Sequence, residues 1–186
     1  MHWIKGLYSG TGCTYEDYVF LYGLTSLLQP KRIAEVGTHV GAASIVMARA
    51  LRDAEAEGHI WSCDVNPGFL KRAERQIELN GLSRYISLLE GGAPVLPPGR
   101  FDLSFIDGDH TYDAVQRDLA ELLPRSRVVV LHDPQSNPDG VGRACIEKGK
   151  GLLLNTPPGV RWCEWKRQGA FANGFYLFSN DALGGL

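Results

Sequence analysis

Apolar residues follow two patterns that alternate along the chain. Short runs rich in β-branched and aromatic residues give way to longer stretches in which apolar positions recur every three or four residues. The first pattern reads as buried strand and the second as amphipathic helix. A first helix is predicted over Tyr15 to Leu28, with Thr14 and Asp17 as a cap pair and Pro30 as a stop. Strands are predicted at Arg32–Gly37, His59–Val65, Ile86–Gly91, Phe101–Asp107 and Arg127–Asp133. Between them lie a helix running through Arg52, a helix opened by Asn66 and Pro67 and closed by Gly81, and a helix over Tyr112 to Leu123. GAPVLPPG reads as a loop, and a short helix is expected from Gly140 to Lys148. Arg161–Arg167 and Asn173–Ser179 read as an antiparallel pair at one sheet edge, joined by QGAFA, and the last seven residues read as a loose tail (180–186).

Strands alternating with helices of this length point to an α/β, Rossmann-like, doubly wound and mostly parallel sheet, with an antiparallel edge hairpin near the C-terminus. At 186 residues the chain is expected to form a single domain, with residues 1–30 as a helical cover.

Composition narrows the picture. Hydrophobic residues make up 44% and charged residues 22%, the profile of a folded globular chain. Lys plus Arg is 19 against 21 for Asp plus Glu, a net charge of −2, which disfavours nucleic acid as partner. No apolar run approaches the roughly 18 residues of a membrane-spanning helix. MHWIKGLYSG lacks the apolar core of a signal peptide, and the four cysteines (Cys13, Cys63, Cys145, Cys163) form no C-x-x-C pair. Together these predict a cytoplasmic protein with free thiols.

In a doubly wound sheet, ligands bind beyond the carboxyl ends of the strands. Those ends carry Glu35, Gly37 and Gly41; Asp64; Glu90, Gly91 and Gly92; Asp107, Gly108, Asp109 and His110; and His132 with Asp133. Polar residues therefore gather on one rim. Gly37 and Gly41 let the backbone turn tightly before a helix whose free N–H groups suit an anion. Their G-x-x-x-G spacing differs from the dinucleotide fingerprint G-x-G-x-x-G, which argues against a nicotinamide-dependent oxidoreductase. A carboxylate at Asp64 suits the two hydroxyls of a ribose.

The runs AEVGTHVGAAS, IDGDHTY and VVVLHD, spanning Ile33 to Asp133, together resemble the class I S-adenosylmethionine-dependent methyltransferases. The resemblance is greatest to the small bacterial group of macrolide and sugar O-methyltransferases, some of which need a divalent metal. It implies that Glu35, Gly37, Thr38 and Gly41 surround the amino-acid end of S-adenosylmethionine, and that Asp64, with Val65 beside it, holds the ribose. It further implies that Gly91, Gly92 and Ala93 line the adenine pocket. Asp107 and Asp133 match metal-binding positions, and His110 matches a general base. Two departures stand out. Gly91-Gly92 stands where the family often has Gly-Asp, so an acid that would contact adenine is missing. Pro134 follows Asp133 where metal-dependent members often carry a second acid.

Asp107 and Asp133 are expected to end neighbouring strands about 5 Å apart. Two carboxylates so close repel unless a proton or a cation sits between them, and magnesium is a natural occupant. A hydroxyl bound to that ion would be acidified, with His110 accepting its proton. Asp109 is equally readable as a helix cap or a metal ligand. His132 is expected to be buried, hydrogen-bonded and turned away from Asp133, with Asn137 or water completing the metal shell. His39 is expected to pack or face solvent. Tyr8, Tyr15 and Tyr18 either cover the site or pack on the sheet.

The leading expectation is metal-assisted O-methylation of a small hydroxylated acceptor. The alternative is a non-catalytic S-adenosylmethionine-binding domain with an interaction or regulatory role. A homodimer is possible on either reading.

Overall fold

The computed structural model describes residues 13–149, 151–155 and 174–179. The elements, in order, are α1 (Tyr15–Leu28), β1 (Arg32–Val36), α2 (Ala42–Asp53), β2 (His59–Asp64), α3 (Pro67–Leu79), β3 (Ile86–Glu90), β4 (Phe101–Ile106), α4 (Tyr112–Leu122), β5 (Ser126–His132), α5 (Arg143–Lys148), β6 (Leu152–Asn155) and β7 (Gly174–Ser179). A π-turn over Pro138–Gly142 leads into α5. The predicted short helix at 140–148 is therefore present, with a wider first turn.

Local chemistry explains the boundaries. Thr14 and Asp17 form a capping box at the start of α1, each accepting from the other's backbone, and Gln29 ends the helix in the left-handed region before Pro30. Asn66 caps α3 through Gly68 N, with Pro67 at the first helical position.

The seven strands among the described residues run in the order β3-β2-β1-β4-β5-β7-β6. β1 to β5 pair in parallel, whereas β7 is antiparallel to β5 and β6 is antiparallel to β7. The doubly wound sheet with antiparallel C-terminal strands is as expected, and the described partners of β7 are β5 and β6. β7 lies between β5 and β6, so both of its ladder edges are taken by those strands. The outer partner among the described residues is Leu152–Asn155, whose three leucines carry no strand signal of alternation. The strand expected at 161–167, the N-terminal segment with Tyr8, and the tail at 180–186 lie outside the described residues.

Side chains alternate across the sheet, and each face is covered by its own helices. Ile33, Ile60, Leu103 and Phe105 pack with Leu21 of α1, Ile45, Met47 and Leu51 of α2, and Ile77 of α3. Ala34, Val36, Ile106 and Val129 pack with Val115 and Leu119 of α4 and Ala144 and Cys145 of α5. Strand order reverses between β1 and β4, which opens a crevice at their carboxyl ends. Among the described residues, no helix is long and apolar enough to cross a membrane.

Candidate active site

A cleft of about 830 Å³ opens beyond the ends of β1, β2, β3 and β4. The turn after β1 shapes its floor. Gly37 adopts φ +94°, and a Cβ there would stand 2.2 Å from the carbonyl oxygen of Asp107. Only glycine permits that approach of two strand ends. Gly37 N and Thr38 N both donate to Cys63 O, at 2.9 and 3.1 Å, which ties the turn to β2. Gly41, also left-handed at φ +81°, starts α2 against Ala73, and it sits behind the cleft instead of lining it.

Asp64 ends β2 in the cleft. Its Oδ2 accepts from His39 N at 2.8 Å and its Oδ1 from Asn66 N at 2.8 Å. Backbone donors thus fix the carboxylate, and each oxygen keeps a lone pair for a ligand hydroxyl. His39 packs edge-to-face on Phe69, ring centroids 4.4 Å apart, as a packing residue on the cleft wall.

The other end of the cleft holds a chain of ionisable groups. Asp107 Oδ1 lies 3.2 Å from His110 Nε2 and 3.2 Å from His132 Nδ1. The opposite ring nitrogen of His132, Nε2, lies 3.0 Å from Asp17 Oδ2. His132 and Asp17 are both buried, so α1 is linked to Asp107 through one imidazole. Burial opposes a charge on that ring, but the Asp107 and Asp17 carboxylates on its two nitrogens outweigh burial and push its pKa well above 6.5. Burial also works to raise Asp107, yet His132 and His110 hold it well below the usual carboxylate range. The Asp107 hydrogen bond raises His110, which lines the cleft. The buried Cys13 thiol donates to Asp107 Oδ2 at 3.6 Å, and burial pushes its pKa far up.

Ligating atoms of Asp107, His110 and Asp133 all lie within 4.8 Å of one another. Asp133 Oδ2 is 3.9 Å from His110 Nε2, and its buried Oδ1 has no hydrogen-bond partner. Two carboxylates beside an imidazole, with the Asp133 oxygen unsatisfied, fit a divalent cation held by Asp107 and Asp133. A second group, Cys13, Asp17 and His132, meets the same distance criterion. There both ring nitrogens of His132 are already engaged by carboxylates, so that group is closed by its own hydrogen bonds.

Several expectations need correction. Glu35 does not line the cleft: it is fully buried, and Ser44 donates to its Oε2. Strand alternation turns it toward α2, so the acid preceding the glycine turn stands beneath the cleft. His132 is buried and hydrogen-bonded as expected but does not turn away from Asp133. Asp133 adopts φ +63°, which breaks the alternation and brings its Oδ1 to 3.5 Å from His132 Nδ1. Asp109 accepts from Thr111 N at 2.9 Å, a turn closing onto α4, and is not among the clustered ligands. Asp133 is absent from the cleft lining and approaches it behind His110. Gly37, Thr38, Asp64, Val65, Gly91, Gly92, Ala93, Asp107 and His110 all line the cleft. Tyr18 lines it too from α1, whereas Tyr15 packs on the core.

Cys13, Asp17 and Asp118 are the residues that sequence reasoning missed. Asp17 reads in sequence only as a helix cap, and nothing local announces a partner 115 positions away.

A family model described as a methyltransferase domain matches residues 34–133, more than half of the chain. The release factor glutamine methyltransferase of Gloeobacter violaceus is 34% identical over 110 residues, covering 59% of this chain and 35% of that protein. The catechol O-methyltransferase of Niastella koreensis is 35% identical over 97 residues, covering 48% of this chain and 42% of that protein. The chain thus spans well under two thirds of the length of either curated relative. Among solved structures, the O-methyltransferase TomG from Streptomyces achromogenes, in complex with SAM, superposes with a TM-score of 0.69 at 23% identity, covering 89% of this chain and 80% of that one. That likeness concerns the fold, whereas the family match falls on the stretch from β1 to Asp133 that builds the glycine turn, Asp64 and the Asp107 cluster. With matched sequence and assembled site coinciding, this chain belongs to the methyltransferase-domain family.

Proposed function

We propose that the protein transfers a methyl group from S-adenosylmethionine to the hydroxyl of a small molecule, assisted by a divalent cation such as Mg²⁺. One observation carries this reading: a single cleft has a backbone-fixed carboxylate, Asp64, at one end and the Asp107–His110 pair at the other. Asp64 accepts from the ribose hydroxyls. The turn Gly37–Thr38 surrounds the amino-acid portion of the donor, and Val65, Gly91, Gly92 and Ala93 surround its base. Methyl transfer to oxygen is an in-line displacement: the sulfonium carbon–sulfur bond breaks, a carbon–oxygen bond forms, and the hydroxyl proton must leave. His110 accepts that proton, and the adjacent Asp107 carboxylate favours the resulting imidazolium. Asp107 and Asp133 would hold the cation, whose bound form lowers the pKa of a coordinated hydroxyl. Asp17 and His132 keep Asp107 oriented toward it.

The −2 net charge supports a small-molecule acceptor over nucleic acid. Among the described residues, the buried free thiols of Cys13, Cys63 and Cys145 support a reducing, cytoplasmic setting. The test is release of S-adenosylhomocysteine from S-adenosylmethionine with a panel of catechol, sugar and macrolide alcohols, with Mg²⁺ and with chelator. Magnesium-dependent turnover of one of these classes is expected. Donor binding without turnover on any hydroxylated acceptor, with transfer to an amide or amine instead, would overturn the O-methyl assignment.

A further inference from the structure

The stretch of cleft beyond β2 and β3 is lined by Val65, Gly91, Gly92, Ala93 and Pro94. Val65 is 75% exposed, an apolar side chain lying open in a cleft wall. Small residues and an open valine make a slot suited to a flat, apolar ring. Such a slot holds the ring's faces, and the side chains of Val65, Ala93 and Pro94 carry no hydrogen-bonding atom for its edge. A side-chain partner for the edge must come from elsewhere, because neither Gly91 nor Gly92 supplies a side chain.

That partner comes from another element. The turn Ala93–Val95 packs against α4, and α4 contributes Ala114, Arg117 and Asp118 to the same cleft. Asp118 Oδ2 lies 3.9 Å from the position a Cβ on Gly108 would take, which places the carboxylate beside the loop after β4. Among the described residues, no donor hydrogen-bonds to Asp118 and no cation pairs with it at salt-bridge distance, unlike Asp64, Asp107 and Asp109. Its half-buried position pushes its pKa up to about 6, so it remains largely ionised at neutral pH. An ionised, partly desolvated carboxylate without a donor gains most from a ligand N–H.

Building on the donor reading above, we propose that the Asp118 carboxylate accepts a hydrogen bond from the exocyclic amino group of the donor's adenine. It would thus do from α4 what a side chain after β3 does not do here. Recognition of the base is then carried by helix α4, and a base with a carbonyl in place of the amino group is rejected because two acceptors would face each other.

The experiment is calorimetric titration at pH 8 of S-adenosylhomocysteine and of its 6-oxo counterpart, S-inosylhomocysteine, into wild-type protein, Asp118→Asn and Asp118→Ala. A charged hydrogen bond of this kind corresponds to a preference of roughly tenfold or more for the amino form in the wild type. Asp118→Asn presents an amide that donates to the 6-oxo group and accepts from the amino group, so its preference should fall to within about threefold. Asp118→Ala should weaken only the amino form. An unchanged preference in both variants, or an equal loss for both ligands, overturns the assignment of Asp118. A wild-type protein that binds neither ligand overturns the donor reading itself, and this inference with it. Both variants lie on a partly exposed helix face, and thermal unfolding of each checks that the fold is retained.

Discussion

Glu35 offers a quantitative test of how the strand beneath the cleft is built. Its side chain is fully buried, Ser44 donates to Oε2, and Oε1 has no hydrogen-bond partner. Burial is the largest influence and pushes its pKa from 4.5 to about 7. The folded protein therefore holds this proton more tightly than the unfolded chain does. Below pH 4.5 both states are protonated and the group costs nothing. As pH rises from 4.5 to about 7, the unfolded state ionises first and stability falls; above that, the loss is complete. The interval corresponds to roughly 3 kcal/mol. Glu35→Gln cannot ionise, and its carbonyl still accepts from Ser44. The difference in stability between variant and wild type should therefore move by roughly 3 kcal/mol in favour of the variant between pH 4 and pH 8. Urea unfolding followed by tryptophan fluorescence at several pH values reads this directly. Comparing the two proteins at each pH cancels the titration of every other group. A stability difference independent of pH would refute the burial argument for Glu35.

Four further outcomes follow from the same geometry. Asp17→Asn keeps an oxygen for the Thr14 cap but removes a charge buried against His132, and breaking a buried pair costs about 3 kcal/mol. For a chain of this size, scanning calorimetry should show a drop in Tm of roughly 6–12 °C; a drop under about 2 °C would contradict the link between α1 and β5. Gly37→Ala forces a Cβ against the Asp107 carbonyl in a left-handed conformation, and we expect loss of donor binding with at least about 2 kcal/mol of destabilisation in urea. Asp133→Asn should weaken Mn²⁺ binding by about tenfold or more, measured by water-proton relaxation; unchanged affinity would remove Asp133 from the metal site. His110→Ala should retain most of the Mn²⁺ affinity while turnover falls by about 10²–10⁴, whereas parallel loss of both would make His110 a ligand.

Much of this architecture is legible in the sequence because local signals and tertiary structure agree. The mostly buried runs at β1, β4 and β5 lie on strands covered on both faces, where near-continuous apolar residues are favoured. Thr14–Asp17 and Asn66–Pro67 mark helix starts by chemistry internal to four residues. The rim acids are legible for the same reason, since a strand's last residue must sit at the sheet's edge. Features that depend on distant partners are not legible. Leu152–Asn155 becomes the edge strand only because β7 inserts between it and β5. Glu35 reads as a ligand residue until strand alternation turns it toward α2. His132 and Asp133 share one side only because Asp133 takes a left-handed conformation, which no pattern of apolar residues encodes. Asp118 reads as an ordinary helix-face charge until contact between α4 and the Ala93–Val95 turn places it in the cleft.

The central claim is that this cleft binds a methyl donor between Asp64 and the Asp107 cluster. Its most direct test is calorimetric titration of S-adenosylmethionine into chelator-treated protein, with and without Mg²⁺, and with NAD as control. We expect micromolar binding of the methyl donor, none of NAD, and a magnesium heat that Asp107→Ala abolishes. Absence of donor heat under every condition would contradict the account.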